Sequence, residues 1–240
     1  MFAYATMIVC AGALVAWVYH ADRYEKEPWY AIALALTSGF GAMWVIGLTD
    51  DAALRIVPIP ADAHSTKAAL ISLIEEGGKL VTILVFAAVF RREFNDPMDG
   101  LIYGRLIGLG MAVNESLLYL GLSPPTLQTC GAEIVRLFGH SLMAGLVGFA
   151  IGLGGHPLKR RESFPRIAAA CLAVSMLLHF GWDWVAYSPQ TSIIRHLAPL
   201  IMMAGMFVIW RVLCDVAEAR SKRIFVGGSD ALVAAVPVSA

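Results

Sequence analysis

Inside apolar sequence, the chain places ionisable side chains of the kinds that activate water, move protons or hold a metal ion. They are Glu75, Glu76 and Lys79 in ISLIEEGGKLVTILV, Glu115 in GMAVNESLLY, His140 in VRLFGHSLMAG, and His179 and Asp183 in LLHFGWDW. A carboxylate can take a proton from an attacking water, and an imidazole can stabilise an oxyanion or return a proton to a leaving group. Two histidines and a carboxylate also make a catalytic zinc set with one position left for water. An ionisable residue within a membrane span costs at least about 2.5–3.5 kcal/mol on insertion scales, so it faces the bundle interior or a wet cavity by default.

The elements that must position these residues are membrane spans. Of the 240 residues 58% are hydrophobic and 15% charged, with a mean hydropathy of +0.70, a composition far from that of a soluble domain. Net charge is zero, so no global field points to nucleic acid. Seven apolar segments, at 2 to 19, 30 to 48, 68 to 90, 99 to 121, 133 to 154, 166 to 187 and 192 to 213, are long enough to cross as helices. The expected fold is an all-α polytopic bundle of about seven transmembrane helices. Residues 1–213 form its membrane domain and 214–240 a polar-to-apolar tail without a confident eighth span. The first segment lacks a basic leader and reads as an uncleaved span. Cys10, Cys130, Cys171 and Cys214 form no CxxC pair and read as small apolar residues.

Counting Arg166 and Arg211 at the edges of their spans with the adjoining loops, lysine and arginine divide twelve to three between the two sets of loops. By the positive-inside rule the N-terminus is outside and the C-terminus cytoplasmic. With that orientation, a rise of about 1.5 Å per residue puts Glu75 and Glu76 about 11 Å, Glu115 about 9 Å, His140 about 10 Å and His179 about 12 Å below the outer surface. Four helices thus bring three glutamates and two histidines to one level in the outer leaflet. Glu75 with Lys79 and His179 with Asp183 are each i,i+4 and share a helix face. Glu75 and Glu76 point about 100° apart, so one of them can support the other. Asn114 and Arg136 are further polar residues within spans. Arg136 and Arg105 carry stems long enough to snorkel to the two faces.

At these residues the chain resembles the PrsW family of intramembrane proteases, distant relatives of the CAAX prenyl endopeptidases. The resemblance rests on DRYEKEPW at 22 to 29, Glu-Glu-x-x-Lys at 75 to 79, GLGMAVNES at 108 to 116, FGHSLMAGLVGFAIG at 138 to 152 and HFGWD at 179 to 183. Gly77 and Gly78 stand where the family usually has a bulky apolar residue after the glutamate pair. What the resemblance implies is peptide-bond hydrolysis in the bacterial plasma membrane. The substrate would be a single-pass membrane protein such as an anti-sigma factor, given its first, site-1 cut on the extracytoplasmic side.

Two mechanisms fit the residue types. In the first, Glu75 or Glu76 activates water without a metal, His140 and His179 serve the oxyanion and leaving amine, and Asp183 fixes the His179 tautomer. In the second, His140, His179 and Glu115 hold zinc and Glu75 or Glu76 is the base; no HExxH accompanies it. The CAAX relatives suggest the metal-free form. An ion- or proton-coupled transporter using the same Glu and His residues is the competing function, although a transporter would be expected to carry polar groups through both leaflets.

Overall fold

The computed structural model describes residues 2–21, 26–122, 126–155, 164–189 and 192–225. Most of the tail, the first four residues of DRYEKEPW and most of the basic loop near 160 lie outside these. Among the described residues there are seven helices: α1 (Phe2–Ala21), α2 (Trp29–Ile56), α3 (His64–Val89), α4 (Pro97–Leu122), α5 (Leu127–Gly155), α6 (Phe164–Tyr187) and α7 (Ser192–Phe225). All but α3 and α4 are long and apolar enough to cross a membrane by composition. The exceptions carry the polar interior. Helix α3 turns Leu73, Val81 and Val85 outward and its charged residues inward, while α4 is buried on all sides from Pro97 to Ala112.

The apolar segments are outrun furthest at the C-terminal ends of two helices. Helix α2 continues past 48 to Ile56 through Asp50 and Asp51, and α7 continues past 213 to Phe225 without a break. Intrahelical hydrogen bonding does not stop where hydropathy falls, since polar residues propagate a helix once it is formed.

The start of α4 is fixed by its own sequence, NDPMD. Asp96 caps the helix, its Oδ1 accepting from the amides of Met98 at 2.6 Å and Asp99 at 2.9 Å. Asp99 reaches back to accept from the amides of Asn95 and Asp96, both at 2.8 Å, and Pro97 occupies the first helical turn, where its missing N–H costs nothing. Asp96 also accepts from Ser221 near the far end of α7, at 2.5 Å. Glu27, in the segment before α2, accepts from Tyr103. The Glu27-Pro28 segment is thereby tied to α4.

Helices α4 and α5 run antiparallel along a seam of small residues. A methyl on Gly104 would lie 3.1 Å from Gly148 Cα, and one on Gly108 would lie 2.6 Å from Ala144 Cβ and closer still to the His140 carbonyl. Close backbone approach of this kind is how membrane helices gain packing energy without a hydrophobic driving force between them. The seam also sets the register: with Gly108 against His140, Glu115 two turns further on must meet the α5 face holding Arg136 and His140.

Arg105 does not snorkel. It is 1% exposed, with its guanidinium 5.3 Å from the centres of both the Trp17 and Trp210 rings and Nε 3.4 Å from Ser141 Oγ. These aromatic faces tie α1 and α7 to α4.

Candidate active site

The two adjacent glutamates of α3 have different surroundings. Glu76 and Lys79 are both 0% exposed and form a buried ion pair. Glu76 also accepts from Ser175 Oγ at 2.5 Å, and its Oε1 lies 2.7 Å from His179 Nδ1. That contact puts the imidazole proton on Nδ1 and leaves the Nε2 lone pair facing the opposite way. Lys79 Nζ stands 3.5 Å from the same Nδ1.

Glu75 faces the space between the two imidazoles. Its Oε2 is 3.6 Å from His179 Nε2, 3.9 Å from His140 Nε2 and 3.9 Å from Lys79 Nζ, and has no hydrogen-bond partner. The two rings meet edge to face with centroids 5.3 Å apart. Asp183 brings Oδ2 to 3.6 Å from His179 Nε2. It therefore stands on the Nε2 side, and the contact that orients the ring through Nδ1 comes from Glu76 instead.

From α4, Glu115 places Oε2 3.1 Å from His140 Nε2 and Oε1 3.3 Å from Arg136 Nε. Arg136 pairs with Glu133 as well and covers the Tyr119 ring at 4.6 Å, so it is held inside the site and does not reach outward. Asn114 points elsewhere, donating to the Phe40 carbonyl of α2 at 3.0 Å. Every charged or imidazole side chain singled out as catalytic, together with Lys79, thus converges from α3, α4, α5 and α6. Gly78 serves packing: a Cβ there would lie 2.6 Å from Ile46 Cγ1 of α2, while Gly77 faces nothing within 4 Å.

Three contributors escape sequence reasoning. Ser175 is one serine in an apolar helix, indistinguishable by pattern from a packing residue. Glu133 falls at an apolar segment's edge and reads as interfacial. Asp50 lies beyond the second apolar segment. However, the buried face of α2 runs Ala31, Ala35, Gly39, Met43, Ile46, and one more helical step reaches Asp50. Its Oδ1 is buried without a hydrogen-bond partner, and its charge interacts with those of His179, Asp183 and Glu115.

The donor set suits a metal ion. Among the described residues Glu75, His140 and His179 offer one ligand atom each, all within 4.8 Å of one another. Ligand atoms about 2.1 Å from a tetrahedral zinc stand about 3.4 Å apart, close to the Glu75–His179 and Glu75–His140 separations of 3.6 and 3.9 Å. Within the cluster Glu75, Glu76, Glu115, Glu133 and Asp183 meet only Lys79 and Arg136 as fixed cations. A divalent cation would offset that excess. Glu75 Oε2 comes within 3.9 Å of both imidazole Nε2 atoms, whereas Glu115 stands 3.1 Å from His140 Nε2 through one oxygen and 3.3 Å from Arg136 Nε through the other.

Fold and site together define a polytopic helical membrane protein with a buried Glu/His/His centre. A family model described as PrsW family intramembrane metalloprotease matches residues 27–213, and the chain belongs to that family. Curated relatives named Protease PrsW agree along most of its length. The protein from Geobacillus kaustophilus (strain HTA426) is 28% identical over 79% of this chain and 82% of its own. That of Clostridioides difficile (strain 630) is 22% identical over 88% and 89%, and that of Bacillus subtilis (strain 168) 24% identical over 92% and 97%. No solved structure matches the chain. The protein is an intramembrane protease of the bacterial cell membrane, and the transporter reading falls away.

Proposed function

We propose that this protease is zinc-dependent, with Glu75, His140 and His179 as the metal-holding residues and Glu115 as the general base. The observation that carries the reading is the meeting of the Glu75 Oε2, His140 Nε2 and His179 Nε2 atoms beside Glu115, whose Oε2 lies 3.1 Å from His140 Nε2. When bound, the metal would polarise the scissile carbonyl and acidify the attacking water. Glu115 takes the proton of that water, its other oxygen anchored by Arg136. Asp183, on the Nε2 side of His179, gives a proton to the leaving amine and regains one from Glu115 as the cycle closes. Glu76 and Lys79 do not touch substrate: Glu76 holds the His179 tautomer, and Lys79 keeps Glu76 charged and fixed.

The substrate in this reading is a single-pass membrane protein, for example an anti-sigma factor receiving its site-1 cut, cleaved in the outer leaflet with the N-terminus of the protease outside. Support comes from the twelve-to-three distribution of basic residues and from the site's position toward the ends of α3 and α6 that join the less basic loops. The test is cleavage of a single-pass reporter by purified protein, wild type against Glu75→Gln and Glu115→Gln, with chelator and with zinc restored. Loss in both variants and in chelator, with recovery on zinc, is expected. Cleavage that survives chelation refutes the metal and passes water activation to Glu75.

A further inference from the structure

Beside the Glu/His/His centre, a small cavity of about 20 Å³ opens between α5, α6 and α7. It shares one wall with the site, for His140 lines it and Arg136 stands at the same wall. The remaining lining is apolar: three methionines, Met143 of α5 and Met202 and Met206 of α7, with Val135 of α5 and Leu178 and Trp182 of α6 beside them. Two glycines open the space. A Cβ on Gly139 would meet nothing closer than Met143 Cε at 3.8 Å and Met206 Cε and Sδ at 3.9 Å, and one on Gly181 nothing closer than Met202 Cε at 3.8 Å. Trp184, one residue beyond Asp183, faces outward and suits the interfacial belt, whereas Trp182 turns to the cavity.

Resting on the protease reading above, we propose that this cavity is a substrate subsite. It receives one apolar side chain of the substrate's membrane segment beside the scissile bond, and Met206, Met202 and Gly139 set the size it accepts. Continuity with His140 is the first argument: a peptide whose carbonyl lies at the centre has its flanking side chain within reach of this space. The second is chemistry, since unbranched, polarisable methionines adapt to differently shaped apolar groups while excluding charged ones. The third is the mobility open to α7. Pro199, one turn before Met202, lacks an N–H and so leaves the carbonyl four residues earlier without its helical bond. The methionine wall can therefore shift without breaking a regular ladder.

The experiment has two arms. Four single-pass reporters, with Ala, Leu, Phe or Asp at the position flanking the cut, are given to wild type, Gly139→Val and Met206→Ala. Gly139→Val should cut Leu and Phe reporters about tenfold less well while sparing the Ala reporter, and Met206→Ala should favour Phe, because one methylene in an apolar pocket is worth about tenfold or more in discrimination. The second arm needs no turnover. In a Glu75→Gln protein with its native cysteines replaced, single cysteines at 202, 206 or 208 are oxidised against a reporter cysteine beside the cut. Positions 202 and 206 should link and position 208, facing outward with Val208 61% exposed, should not. Equal linking at all three, or a uniform loss of cleavage across the four reporters, overturns the subsite. Selective linking with no cleavage by the wild type would instead uphold the subsite and count against the protease mechanism.

Discussion

The separation of Glu75 and Glu76 into two roles can be tested through metal affinity. Glu76 touches the proposed centre only through His179 Nδ1, 2.7 Å away. Glu76→Gln keeps an oxygen able to accept from that N–H and loses only the charge, whereas Glu76→Leu removes the acceptor altogether. Partners behind a metal ligand are worth about 10–100-fold in affinity, which corresponds to about 1.4–2.7 kcal/mol. The glutamine variant should fall near the lower figure and the leucine variant near the upper. The assay is reporter cleavage by chelator-stripped protein across buffered free zinc. Half-saturating zinc should rise about tenfold and about a hundredfold in the two variants with the same plateau, while Glu75→Gln recovers at no zinc level. Recovery of Glu75→Gln together with irreversible loss in Glu76→Gln would refute the assignment and make Glu76 the group that acts on the substrate or metal.

Other outcomes follow from the same contacts. Lys79→Met leaves the Glu76 carboxylate buried without its cation, and should lower folding stability in detergent by about 3–5 kcal/mol; Lys79→Met/Glu76→Leu should lose less than the two single changes combined. Gly108→Leu should prevent folding outright, as judged by thermal melting and protease resistance, since its side chain would enter the His140 backbone. Arg136→Ala should lower kcat about tenfold or more by freeing the Glu115 base, with half-saturating zinc unchanged. Cysteine labelling of intact cells should reach position 62 from outside and position 91 only after permeabilisation; the reverse would invert the orientation.

Much of the site could be read from sequence because burying charge in a membrane is so costly that each inward-facing ionisable residue announces itself against an apolar background. Depth along alternating helices was enough to place Glu75, Glu115, His140 and His179 at one level. What periodicity could not supply was direction and partner. Adjacent glutamates differ only in which neighbour each meets, and Ser175, His179 and Lys79 decide that for Glu76. That Glu75 comes within 3.9 Å of both imidazoles while Glu115 pairs with His140 and Arg136 is set by contacts between helices. Asp50 and the long ends of α2 and α7 were missed because hydropathy marks where lipid ends, while the helix is held by its own hydrogen bonds beyond that point.

The buried pair within α3 bears on how the chain enters the bilayer during synthesis. Glu76 waits for His179 and Ser175, which lie 103 and 99 residues downstream. At about 5–20 residues per second, translation delivers them roughly 5–20 s later. Lys79 is only three residues away and is present as soon as the helix forms, so α3 can neutralise one glutamate before any partner helix exists. The nascent segment would then present one net negative charge in its polar stretch in place of three separate ions, and Glu75 alone would have to remain near water or the translocation channel until α5 and α6 arrive.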